Sequence, residues 1–156
     1  MAETEAMKNR RKVVLASGTF DLLHMGHVKY LEEAKKAGGE NAKLIVIVAR
    51  DKTAKKRKGT KPIVSEDHRR ALVEALKVVD EAILGFEDFN MEKVIEKIRP
   101  DIIVVGHDQD SIIKQVQEVV ARKGLNIEVA RTGKFGKNEL NSSLKIKRKI
   151  IELYRR

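Results

Sequence analysis

The stretch Ser17-Gly18-Thr19-Phe20-Asp21-Leu22-Leu23-His24-Met25-Gly26-His27 constrains this chain more than any other. An apolar run, Val13-Val14-Leu15-Ala16, precedes it, and an amphipathic segment, Val28 to Ala37, follows. That order reads as strand, glycine-containing loop, helix. Such a junction suits an anion. Loop amides are free to turn inward, and the first N–H groups of a helix lack intrahelical partners. The helix dipole adds positive potential at the same end. His24 and His27 fall where the helix begins, so two imidazoles can flank one phosphate.

The rest of the chain repeats the strand-to-helix step. Leu44 to Ala49, Glu81 to Leu84, Ile102 to Val105 and Ile127 to Ala130 read as further strands. The unbroken apolar runs Val13 to Ala16, Leu44 to Ala49 and Ile102 to Val105 predict burial. The first helix runs from about Gly26, with Val28, Leu31 and Ala34 inward, and stops at Gly38-Gly39. A second starts at Ser65 and is expected to bury Ala71, Leu72, Ala75 and Leu76. Met91, Val94, Ile95 and Ile98 follow the i, i+3, i+4, i+7 pattern of a third, which Pro100 ends. Ile112, Ile113, Val116, Val119 and Val120 mark a fourth, ended by Gly124. Arg131 to Asn141 reads as a loop. Ser142 or Ser143 caps a last helix with Ile146, Ile150, Leu153 and Tyr154 on one side. The alternation predicts an α/β fold, Rossmann-like and single-domain, with a five-stranded mostly parallel sheet and helices on both faces. Residues 1–11 are expected to form a flexible tail and 12–156 the domain.

Charge narrows the partners. The 156 residues carry 33 basic and 23 acidic side chains, a formal net charge of +10, which calls for polyanions. Aromatic residues are only 4% of the chain, too few to offer many stacking platforms to single-stranded bases. The segment from Arg50 to Pro62 concentrates basic residues after a strand and reads as a mobile flap over phosphates, with Lys56, Arg57 and Lys58 as candidates. Arg69, near the start of its helix, is a further candidate for a ligand phosphate. Gly106-His107-Asp108-Gln109 follows a strand at the carboxyl edge, where open α/β sheets bind ligands. Asp108 there either bonds a nucleotide or caps the next helix. No cysteine is present, so thiolate chemistry is excluded. The chain contains neither a Gly-x-x-x-x-Gly-Lys-Ser/Thr loop nor a Gly-x-Gly-x-x-Gly turn, against P-loop enzymes and dinucleotide-dependent dehydrogenases. No apolar run approaches the roughly 20 residues of a membrane span. Met1 to Lys12 lacks an apolar leader core, and a cytoplasmic location is expected.

The Gly18-Thr19-Phe20-Asp21 turn followed by His24-x-Gly26-His27 resembles the signature of the nucleotidyltransferase superfamily. Val48-Ala49-Arg50-Asp51, Lys61-Pro62-Ile63, His68 to Leu76, Val79 to Gly85 and Pro100 to Gly106 extend the resemblance over about residues 12 to 152. Together they look most like archaeal-type FAD synthases, which are FMN adenylyltransferases. A cytidylyltransferase using CTP and a small phosphorylated alcohol such as glycerol 3-phosphate is the alternative. The resemblance implies ATP and FMN as substrates and Mg²⁺ brought with ATP. It implies a homodimer, with no nucleic acid and no membrane as partner. It assigns His24 and His27 to the triphosphate and to charge stabilisation during transfer. Gly18, Thr19 and Phe20 would contact the nucleotide through the backbone, and Gly26 would leave room for phosphates. Asp108 would lie in the nucleotide-recognition loop, and Ser142 and Ser143 would meet phosphates at the last helix. No dedicated protein metal site is implied. Phe86, Phe89 and Phe135 are possible walls for a flavin ring.

Overall fold

A computed structural model describes residues 5, 10–88, 90–134 and 140–155. The apolar runs form five strands: β1 (Val13–Gly18), β2 (Lys43–Val48), β3 (Glu81–Leu84), β4 (Ile102–Val105) and β5 (Glu128–Arg131). Between and after them run α1 (Met25–Ala37), α2 (Asp51–Lys58), α3 (Glu66–Glu74), α4 (Met91–Ile98), α5 (Asp110–Lys123) and α6 (Ser143–Tyr154). The sheet order is β3-β2-β1-β4-β5, and every pairing is parallel. The chain thus winds outward from β1 in one direction, then from β4 in the other. In open α/β sheets ligands bind where that direction reverses, which here is at the carboxyl ends of β1 and β4.

Alternation along each strand divides the core. Val14, Ala16, Leu44, Val46 and Val48 pack with Leu31 and Ala34 of α1 and Val73 of α3. Leu15, Ile45, Ile47, Ile103 and Val105 pack on the other face with Val94 and Ile95 of α4 and Val116 of α5. The expected layering, helices on both faces of a parallel sheet, is what the chain adopts. Tyr30 of α1 places its hydroxyl 3.1 Å from both the Ser17 and the Val104 carbonyl, pinning α1 across β1 and β4. Burial holds that phenol neutral by raising its pKa.

Two local expectations are corrected. The basic segment after β2 forms helix α2 rather than a loop. Ala54 is buried against the body of the protein, Asp51 sits in the first turn, and Lys55 to Lys58 fill the last. Those charges suit the helix dipole at each end, and Gly59 closes it with φ 84°. Helix α3 buries Arg69 and Val73, while Ala71, Leu72 and Ala75 are exposed. Helix α6 has no buried residue. Just before β1, Arg10 pairs with Asp101 at 2.6 Å, and Arg11 donates to the Asn41 and Ala42 carbonyls.

Candidate active site

The loop leaving β1 takes a conformation that side chains rarely adopt. Phe20 and Leu22 have φ of 57° and 50°, so the surroundings must hold them there. Phe20 is buried and packs against His27, with ring centroids 5.4 Å apart. A Cβ on Gly18 would come within 3.0 Å of the Phe20 ring, which accounts for glycine there.

His24 occupies the N-cap of α1 and His27 its third position. Their rings stack, with centroids 3.8 Å apart and planes inclined by 25°. The His24 backbone N–H donates to His27 Nδ1 at 3.2 Å. His27 Nδ1 therefore carries no proton, and Nε2–H is left as a donor. Burial, then the nearby His24 and Lys58, pushes the His27 pKa down to about 3. The ring is a neutral hydrogen-bond donor at physiological pH. Burial also lowers the pKa of His24. Its Nδ1 is buried and has no hydrogen-bond partner among the described residues. Such an atom, beside the open first turn of a helix, is satisfied by a ligand or by water.

Gly26 has a different occupant from the one expected. A Cβ there would lie 2.8 Å from His24 Cε1 and 2.9 Å from the Asn141 carbonyl oxygen. Here the space spared by Gly26 admits the His24 imidazole and the chain entering α6. Gly26→Ala should displace the ring or the backbone, and misplacement of about an ångström costs on the order of 10²-fold in rate. The expected outcome is that loss in kcat with a folded protein by circular dichroism; wild-type turnover would show that the close approach does not matter.

Basic side chains gather around this pair. Arg57 lines a shallow cleft with Ser17, Gly18, Ile47 and Ala49 at the carboxyl ends of β1 and β2. Lys58, from the same helix, lies close enough to His27 to disfavour its protonation. Burial lowers the pKa of Lys58, and Asp108 and Lys147 act on its charge. Lys147 reaches in from α6 to within 3.5 Å of Asp21. Lys56 is exposed on the far part of the turn and has no contact of this kind among the described residues. Asp108 is exposed and does not cap α5; Gln109 holds that position. Gln109 instead closes the β4–α5 turn, accepting from Gly106 N at 2.8 Å and donating to the Ser17 carbonyl at 3.3 Å. The Ser142 hydroxyl accepts from Lys145 N as the cap of α6, and Ser143 donates its hydroxyl hydrogen to the Asp21 carbonyl.

Arg69 is not at the surface. It is fully buried, and its guanidinium donates to the carbonyls of Val64 (2.8 Å), Thr19 (2.7 Å) and Ala49 (2.7 Å) and to Asp51 (2.6 Å). It ties together the ends of β1 and β2 and the starts of α2 and α3, and presents nothing to a phosphate. Thr19 meets Arg69 through its carbonyl. The sequence reading gave no role to Asp21, Lys147 or Gln109. Lys147 had a visible signal, four residues after Ser143 on one helix face. Phe86 is half-buried with the Lys97 ammonium 5.7 Å from its ring centre. Phe89 and Phe135 lie outside the described residues. Among the described residues no three His, Asp or Glu side chains are grouped to hold a metal ion. No helix there is long and apolar enough to cross a membrane.

The cytidylyltransferase-like family model matches residues 15–149. A FAD synthase from Methanothermobacter marburgensis is 49% identical over 142 residues, covering 91% of this chain and 87% of that protein. One from Methanobrevibacter smithii is 50% identical over 142 residues, covering 91% and 92%. One from Methanopyrus kandleri is 47% identical over 146 residues, covering 93% and 95%. Among solved structures, one described as the lipopolysaccharide core biosynthesis protein from Thermoplasma volcanium GSS1 superposes with a TM-score of 0.72 and 42% identity. It covers 80% of this chain and 98% of that one. A protein with unknown function from Archaeoglobus fulgidus shares the fold, with a TM-score of 0.61 and 22% identity over 78% of this chain and 89% of its own.

Proposed function

The chain belongs to the cytidylyltransferase-like family, and within it to the FAD synthases; we propose that it transfers AMP from ATP to the phosphate of FMN, releasing pyrophosphate, by direct displacement. An oxygen of the FMN phosphate attacks the α-phosphorus of ATP while the bond to the bridging oxygen of pyrophosphate breaks. The observation that supports this chemistry is the stacked His24–His27 pair at the start of α1. His27 Nε2–H and the free amides of the first turn donate to phosphate oxygens, and these donors cost no reorganisation when charge develops. Lys58 and Lys147 offset the charge of the leaving pyrophosphate. Asp108, at the carboxyl end of β4, is left to contact the nucleoside. The Ser142 and Ser143 hydroxyls already have protein partners, so α6 is read as meeting phosphate through Lys147 and its first amides.

The donor set near the histidines is cationic, and Asp21 is committed to the protein. These residues do not form a cage for Mg²⁺, which fits a cation carried in by ATP and holding its own waters. The chain itself contributes positioning and charge neutralisation to the transfer. A homodimer fits Ile150, Ile151, Leu153 and Tyr154, which α6 leaves exposed. We read the positive charge as serving small phosphorylated substrates rather than nucleic acid, in the cytoplasm.

Pyrophosphate release in a matrix of ATP or CTP against FMN, glycerol 3-phosphate and phosphopantetheine tests the reading. The expected result is product only from ATP with FMN. Release from CTP with glycerol 3-phosphate, and none from ATP with FMN, would overturn it.

A further inference from the structure

Asp21 is the most heavily engaged polar residue next to the histidines, and the chemistry above does not use it. It is 3% exposed. One carboxylate oxygen accepts from Ile63 N at 2.8 Å and the other from Val64 N at 2.9 Å. Lys147 of α6 pairs with the carboxylate at 3.5 Å. The Asp21 carbonyl accepts from the Ser143 hydroxyl, also of α6. Burial works against this carboxylate, but the Val64 and Ile63 amides, then Lys147, outweigh it and keep it ionised.

Its place in the chain gives these contacts their meaning. Asp21 stands between Phe20 and Leu22, both with positive φ. A bulky residue stays in that region only when its surroundings fix it. Three residues further on is His24, and the strained turn sets the direction in which α1 begins. The segments that hold Asp21 are otherwise separate: the connection into α3 at residues 63–64, and the first turns of α6. The Asn141 carbonyl, just before α6, and the His24 ring both crowd the space beside Gly26.

We propose that Asp21 is a positioning residue: it clamps the β1–α1 loop to residues 63–64 and to α6, and thereby sets where His24 and His27 stand. It touches neither substrate nor the reacting atoms. Asp21→Asn is the sharpest probe. The amide keeps the size of the carboxylate but turns an N–H₂ toward one backbone N–H, placing two donors face to face. It also removes the charge that holds Lys147.

The experiment records the imidazole NMR signals of His24 and His27, the melting midpoint, and kcat and KM with ATP and FMN, for wild type and Asp21→Asn. The expected result is a folded variant whose two imidazole signals shift and whose kcat falls about tenfold or more, as for other small displacements of reacting groups. KM for ATP should change by less than about threefold, because the loss lies in the transition state. A lower melting midpoint with unchanged imidazole signals and unchanged kcat would overturn the proposal, since that is what a purely structural residue gives. If Asp21→Asn does not fold, Ser143→Ala decides, because it removes only the hydroxyl tie from α6. Shifted imidazole signals in that variant support the clamp, and wild-type signals overturn it. The kinetic part rests on the proposed reaction, whereas the NMR part needs no substrate. Failure of the wild-type protein to form FAD would therefore sink the reaction and leave the clamp separately tested.

Discussion

His27→Ala is expected to lower kcat for FAD formation by on the order of 10²-fold, the scale for removing one preorganised donor from a site of developing charge. The size follows from how firmly the ring is held. It stacks on His24 and packs against Phe20. Its Nδ1 accepts from the His24 backbone, which leaves Nε2–H aimed by the protein rather than by the ligand. A neutral donor fixed in place before the nucleotide arrives needs no reorientation during transfer. Alanine also leaves the His24 N–H without its acceptor, at a cost of about 1 kcal/mol, so the variant should remain folded. Steady-state kinetics beside a thermal melt check this. A folded His27→Ala enzyme with wild-type kcat would remove the histidine from the mechanism.

Arg69→Ala should act on stability instead. The native side chain is a fully enclosed guanidinium with four protein acceptors. Its removal leaves three carbonyls without their donor and Asp51 without its partner, and it opens a cavity. Breaking such a pair costs about 3 kcal/mol or more. In a domain of this size that is a fall in Tm of roughly 10 °C. Lysine should not rescue it, because an ammonium cannot reproduce the planar fork that serves these acceptors together. A Tm within a degree of wild type would contradict the brace. A raised KM for FMN at unchanged Tm would return Arg69 to the phosphate site, where sequence reasoning first put it.

Arg69 illustrates what the sequence could and could not convey. Period and composition expose a strand such as Ile102 to Val105, because a buried parallel strand has few ways to be written other than as an apolar run. The position of the histidine pair was equally legible, since the spacing puts both residues at the strand-to-helix step where they stand. An arginine near a helix start, by contrast, looks the same whether it meets solvent, a phosphate or four carbonyls. Only the convergence of β1, β2, α2 and α3 decides it, and that is a tertiary fact. Once Arg69 takes the inward face of α3, Val73 follows it one turn on, and Ala71, Leu72 and Ala75 are left outside.

The basic stretch after β2 misled for a related reason. Dense positive charge weakens an isolated helix, and the sequence offered only Ala54 as a residue to bury. The helix is set by what surrounds its first turn: Glu66 accepts from Asp51 N at 3.0 Å and pairs with Arg50 at 3.1 Å. Arg50 in turn donates to the Gly85 carbonyl at 2.7 Å. These long-range ties make α2 a fixed arm carrying Arg57 and Lys58 over the sheet edge. Asp21 escaped notice because its value lies in partners from residues 63–64 and from α6, distant in the chain.

A crystal structure with an ATP analogue that resists cleavage between its α- and β-phosphates decides whether the His24–His27 turn holds the nucleotide. The triphosphate is expected at the first turn of α1, within hydrogen-bond distance of His27 Nε2, with Lys58 and Lys147 beside its β- and γ-phosphates. A nucleotide bound away from that turn, or imidazoles swung apart so that no phosphate spans them, would contradict it.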